Sequence, residues 1–126
     1  MSEPLSVHSS AHNIEIHFGE PQQSTREFTT AFILDLDREN SVMGIEILNL
    51  QTLVGPNFLS QLQRSIARTD GPVRYSFDEE EDAFYLSLHD GNSTKQLAVD
   101  GTISINRIGA IVGLSAFLMN QAISGG

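Results

Sequence analysis

The sequence predicts an α+β fold: two tandem four-stranded antiparallel β-meanders, repeat one over 1–68 and repeat two over 69–126, related by an approximate internal two-fold. Three observations predict it. Ser24-Thr25-Arg26-Glu27-Phe28 recurs as Ser93-Thr94-Lys95-Gln96-Leu97, and Val42-Met43-Gly44-Ile45 recurs as Ile111-Val112-Gly113-Leu114, each 69 residues further on. A fixed period signals a repeated structural unit. Apolar and polar residues alternate along several segments of each half, the signature of strands with one buried face. Between the halves, Phe58, Leu59, Leu62 and Ile66 share one face of a helix. Two independent halves of about 60 residues would each bury only about 60% of their unfolded surface, so one shared core and a single domain over 1–126 are expected.

The second repeat is the easier to place. Val73, Tyr75 and Phe77 alternate with Arg74 and Ser76, and Phe84, Leu86 and Leu88 alternate with Tyr85 and Ser87. Asp78-Glu79-Glu80-Glu81-Asp82 lies between them. Its mutual repulsion is tolerable only in water, so it predicts a solvated hairpin loop that also discourages edge association. A third strand covers Gln96 to Ile105, with an interruption at Asp100-Gly101, and a fourth runs from Ala110 to Phe117. The first repeat follows the same plan over Leu5–Val7, Ile14–Phe18, Phe28–Leu36 and Val42–Leu48. Phe18 matches Leu88 one residue out of step, and that slip falls in a loop, where length changes are tolerated.

Strands three and four are joined by Asp37-Arg38-Glu39-Asn40 in one half and Asn106-Arg107-Ile108-Gly109 in the other. Such loops end on a residue of positive φ, which Asn and Gly accept most easily. The helix between the repeats is expected from Asn57, as N-cap, to Arg68, and Thr69-Asp70-Gly71-Pro72 stops it. A shorter C-terminal helix is expected over Leu118–Ile123. Alternation fixes the apolar faces but leaves a sandwich and an open barrel equally open.

Seven Lys and Arg against sixteen Asp and Glu give a net charge of −9, which repels phosphate backbones and argues against nucleic acid. No apolar run is long enough to cross a membrane, and the Met1-Ser2-Glu3-Pro4 start lacks a secretory signal, so a cytoplasmic place is expected. With no cysteine, disulfides, thiolate nucleophiles and cysteine-based zinc sites are excluded.

The run Tyr75-Ser76-Phe77-Asp78-Glu79-Glu80-Glu81-Asp82-Ala83-Phe84-Tyr85-Leu86-Ser87-Leu88 resembles the opening of the YuzE-like family of small bacterial domains of unknown function. Leu34-Asp35-Leu36-Asp37 followed by Gly44-Ile45-Glu46-Ile47-Leu48 resembles that family's closing motif. In the first half the opening has drifted to Leu5-Ser6-Val7-His8, and in the second Ser115 replaces the closing Glu. The resemblance implies a small α+β fold without established catalytic residues and, by analogy, an antitoxin-like role.

The candidate ligand- or partner-binding positions are Gly44, Glu46, Gly113 and Ser115. Glycine inside an apolar strand forfeits packing and backbone entropy, so something must require the missing Cβ: a bulge, a close neighbour or a ligand. Glu46 faces away from Ile45 and Ile47. His8, His12 and His17 invite a metal, but their spacing does not make them converge, and no metal or cofactor is expected. No phosphate loop, nucleophile elbow or zinc-protease motif occurs, so no catalytic residue is assigned. The expected function is a non-enzymatic protein-interaction module with a basic partner, homo-oligomers being allowed. The alternative is a small-molecule binder or enzyme using a groove between the repeats, with Glu46 and the nearby histidines.

Overall fold

A computed structural model describes residues 5–10, 13–18, 26–55, 58–67, 73–91, 93–107 and 109–117. Eight strands form within them: β1 (Ser6–Ser9), β2 (Asn13–His17), β3 (Arg26–Leu36), β4 (Val42–Leu48), β5 (Arg74–Asp78), β6 (Ala83–Ser87), β7 (Lys95–Ile105) and β8 (Ile111–Phe117). Two helices, α1 (Leu50–Val54) and α2 (Phe58–Ala67), separate β4 from β5. All eight strands join one antiparallel, curled sheet in the order β1-β2-β8-β7-β3-β4-β6-β5.

This overturns the expected architecture. The fold is mainly β rather than α+β, and neither half forms a separate four-stranded meander. Each half contributes two hairpins that are split apart and interleaved with those of the other half. The physical reason lies in β3 and β7. Their eleven residues pair throughout, from Arg26↔Ile105 to Leu36↔Lys95, whereas β2 and β6 offer only five residues each. A meander would have spent the long edges on short neighbours and left backbone groups unpaired.

The registers are matched about the central pair Ala31↔Asp100. The β3–β4 ladder shifts between Asp35 and Leu36 and the β7–β8 ladder between Ser104 and Ile105, leaving Met43 and Val112 as the extra residues. The carbonyls of these two residues accept N–H bonds from Leu88 (2.8 Å) and Phe18 (3.1 Å). Read from either end, the sheet has the same order once β1–β4 are exchanged with β5–β8. The connecting turns match as well: Asn40 has φ 69° and Gly109 φ 88°. Asp37 Oδ1 accepts the Ser41 N–H at 2.9 Å, and Asn106 Oδ1 accepts the Ala110 N–H at 3.0 Å.

One sheet face is apolar. Ile14 and Ile16, Phe32 and Leu34, Ile45 and Ile47, Phe84 and Leu86, and Ile103 and Leu114 are all buried on it. The helix α2 packs against this face through Phe58, Leu62 and Ile66, with the Phe58 ring edge-on to Phe77 and Phe84 at 5.3 and 6.0 Å. It forms within the expected range, and the expected cap Asn57 lies outside the described residues, as does the expected C-terminal helix 118–123. The expected interruption at Asp100-Gly101 does not occur. Gly101 stays in the ladder opposite Thr30, and the Phe32 ring occupies the place a Cβ would take. Beside the central pair, two bulky residues at 32 and 101 would compete for one space, so one ring and one glycine fit.

Candidate functional site

The other sheet face carries the polar chemistry, because period-2 alternation sends every second residue of each strand to it. On this face Gly44 lies between Asp35 of β3 and Ser87 of β6, and Glu46 lies between Ile33 and Tyr85. Gly113 and Ser115 occupy the matching places in β8, between Ser104 and His17 and between Thr102 and Glu15. Glu46 and Ser115 are half-buried, and both glycines are buried.

Around Gly44 the structure builds a network that sequence patterns did not single out. The Tyr85 hydroxyl donates to Asp35 Oδ2 at 2.7 Å, and Gln96 Nε2 donates to Asp35 Oδ1 at 3.0 Å. Asp35 is the buried charged residue of the described fold, and these bonds engage both of its oxygens. The Tyr85 phenol reaches Asp35 by lying over Gly44, where a Cβ would collide with Oη and Cζ. Burial pushes the Tyr85 phenol up to about 12, helped by its bond to Asp35 and by the charges of Asp35 and Glu46. At neutral pH it is therefore a fixed donor, not a base. The glycine was the one legible signal here, since a strand glycine marks a close neighbour; the neighbour's identity depended on a cross-strand diagonal between β4 and β6.

The matching place at Gly113 is built differently. A Cβ there would meet the Ile16 carbonyl at 3.4 Å and His17 Nδ1 at 3.9 Å, and no ring covers it. Ser104 replaces Asp35 and donates to Glu27 Oε2 at 3.4 Å, and Glu15 stands where the other side has Tyr85. The rings of His8 and His17 meet edge-on at 5.9 Å. Among the described residues no group of three or more His, Asp or Glu side chains could hold a metal ion. His12 lies outside them.

Next to Tyr85 the sheet opens into a cleft of about 580 Å³ between β4, the start of α1 and the β5–β6 hairpin. Glu46, Asp78 and Glu81 line it with Ser76, Asn49, Tyr85 and the apolar Leu48, Phe77 and Ala83, and among the described residues no lysine or arginine does. One wall is fixed by Asp82. Its carboxylate accepts the N–H groups of Gln51 (2.8 Å) and Thr52 (2.9 Å) and the Thr52 hydroxyl (2.7 Å), while its carbonyl accepts the Asn49 N–H at 2.8 Å. Burial acts to raise the Asp82 carboxyl, but the bonds from Thr52 and Gln51 outweigh it and hold the group below the ordinary aspartate value. Asp82 thus caps α1, whose own N-terminal residue Asn49 gives no side-chain bond. Only part of the acidic run is simply solvated loop, and its last residue ties the hairpin to the helix.

Among the described residues no helix is long and apolar enough to cross a membrane. No family model matches the chain, and comparison with curated proteins and with solved structures gives no significant match to either.

Proposed function

We propose that this protein is a non-catalytic interaction module that receives a basic segment of a partner protein in the cleft beside Glu46. The observation that carries this is the cleft's lining: three carboxylates beside the apolar Leu48, Phe77 and Ala83, with no lysine or arginine among the described lining residues, on a chain of net charge −9. Such a surface attracts cationic side chains at long range and selects against acidic ones. The Tyr85–Asp35–Gln96 network supports binding rather than catalysis. A phenol at about 12 donates a hydrogen bond but does not take a proton at neutral pH, and both oxygens of Asp35 are already engaged. The network then serves as a rigid floor for the cleft.

The likeness of 75–88, 34–37 and 44–48 to YuzE-like domains adds an antitoxin-like form of the same reading. The matched registers on either side of Ala31↔Asp100 support descent of the two halves from one duplicated unit. Binding on the Tyr85 side alone follows from the loss of the tyrosine and carboxylate at the Gly113 side.

Calorimetric titration with an arginine- and lysine-rich peptide tests the proposal. Expected is saturable binding that weakens as salt rises and falls several-fold in Glu46→Gln and Glu81→Gln, with an acidic peptide of equal length inert. Binding that ignores peptide charge, or that survives both substitutions unchanged, overturns it.

A further inference from the structure

We propose that two copies of this chain associate edge to edge through β5, in a two-fold antiparallel pairing centred on Ser76. Among the described residues β5 ends the sheet: β6 pairs with one side of it, and no described strand follows on the other. An open strand edge is a template for another strand, and what decides the occupant is the sequence Arg74-Tyr75-Ser76-Phe77-Asp78. Turned antiparallel about Ser76, this segment is its own complement. Arg74 of each copy falls opposite Asp78 of the other, Tyr75 opposite Phe77, and Ser76 opposite Ser76.

The faces agree too. Arg74, Ser76 and Asp78 are exposed on the polar side of the sheet, and Tyr75 and Phe77 are half-buried on the apolar side. Self-pairing therefore makes two opposite-charge cross-strand pairs on one face and two aromatic pairs on the other, the combinations that stabilise neighbouring strands. The two-fold makes the members of each couple equivalent, so one favourable combination on the strand counts twice in the contact. The other end of the described sheet, β1, offers nothing comparable. Ser6-Val7-His8-Ser9 has no carboxylate, and pairing it with itself in phase with its faces sets serine or histidine against histidine or valine against valine.

Net charge opposes association, and the acidic run 78–82 is expected to discourage it here, but β5 carries only Asp78 of that run and Arg74 falls opposite it. The acidic residues Glu79, Glu80 and Glu81 lie beyond one end of β5, and in the pair they sit at opposite ends of the joined strands. Five residues of strand span about 17 Å, roughly twice the screening length at physiological salt. Arg74 of the second copy would meanwhile stand against Asp78 at the rim of the acidic cleft, bringing the two clefts onto one continuous face. The inference rests on the edge alone and stands whether or not the cleft binds a basic segment.

Sedimentation equilibrium of the full chain at physiological salt tests it, with far-UV circular dichroism confirming the fold of each variant. Expected is a mass that rises with concentration from 13.8 kDa toward twice that value. Arg74→Asp and Asp78→Arg should each weaken association roughly tenfold or more by setting like charges opposite one another twice. The double variant Arg74→Asp/Asp78→Arg restores both pairs in reverse and should return association to near the native level. A mass of one chain at every concentration overturns the proposal. So does a dimer indifferent to the single reversals, or a double variant no better than either single one.

Discussion

Gly44 and Gly113 stand at matching places in β4 and β8, each one residue past a bulge, yet their surroundings have gone different ways. At Gly44 the absent side chain is replaced by the Tyr85 ring, which is bonded to a buried carboxylate. At Gly113 a neighbouring backbone carbonyl and a histidine are the nearest groups, and a serine stands in the place that the carboxylate has beside Gly44. The backbone geometry is shared while the chemistry is not. Hydrogen-bond registers are fixed by the strands, whereas the residues on the outer face are free to change as long as the inner face stays apolar. One side of the sheet is therefore a polar site with a floor, and the other is a surface.

Alanine at the two glycines should separate the two sides most. Gly44→Ala drives a methyl into the Tyr85 ring and should cost about 3 kcal/mol, the upper end of overpacking, while Gly113→Ala should cost under about 1 kcal/mol. Urea unfolding of both variants measures this. Asp35→Ala strands the Tyr85 hydroxyl and the Gln96 amide and should cost about 2 kcal/mol, against about 0.5 kcal/mol or less for Ser104→Ala on the other side.

Tyr85→Phe removes one of the two donors to Asp35 and should cost about 1.5 kcal/mol. The same hydroxyl can be watched directly. The chain has two tyrosines, so in Tyr75→Phe the ultraviolet titration reports Tyr85 alone, with a midpoint near 12. Because the folded value lies above the unfolded one of about 10, the fold binds more protons between them; the stability this group contributes is intact below pH 10 and is lost as pH rises through 12. The smallest effect belongs to the cap. Asp82→Ala should cost about 1 kcal/mol. In the native chain the Asp82 carboxyl is held low, so its contribution is present above about pH 4, the unfolded value, and disappears as pH falls through the lower folded value. An acid titration of stability in which Asp82→Ala shows a shallower decline than the native chain would confirm the sign.

Most strands were legible because alternation is a local property. Val42–Leu48 was read with the bounds it has, and the two turns ending at Asn40 and Gly109 were recognised from the conformation those residues permit. Which strand lies beside which was not legible. The pairing of β2 with β8 and of β4 with β6 is decided by competition among edges of different length, and alternation is silent on that. The short helix α1 was missed for a related reason: its cap, Asp82, is about thirty residues away along the chain, so no local signal marks its start. Asp35 was visible only as a polar residue near a turn. That it is buried depends on Tyr85 and Gln96 arriving from two other strands.

The longest ladder of the sheet has a kinetic consequence. Ala31 meets Asp100, 69 positions further along the chain, and all eleven pairs of β3 with β7 depend on that closure. Hairpins such as β3–β4 and β5–β6 can zip early, within microseconds, and join through β4–β6, but the β7–β8 hairpin is added only when β7 meets β3. Refolding should accordingly be slow for a chain of this size, on the scale of milliseconds to seconds, with its barrier set by the entropy of closing these distant pairings, β2 with β8 among them.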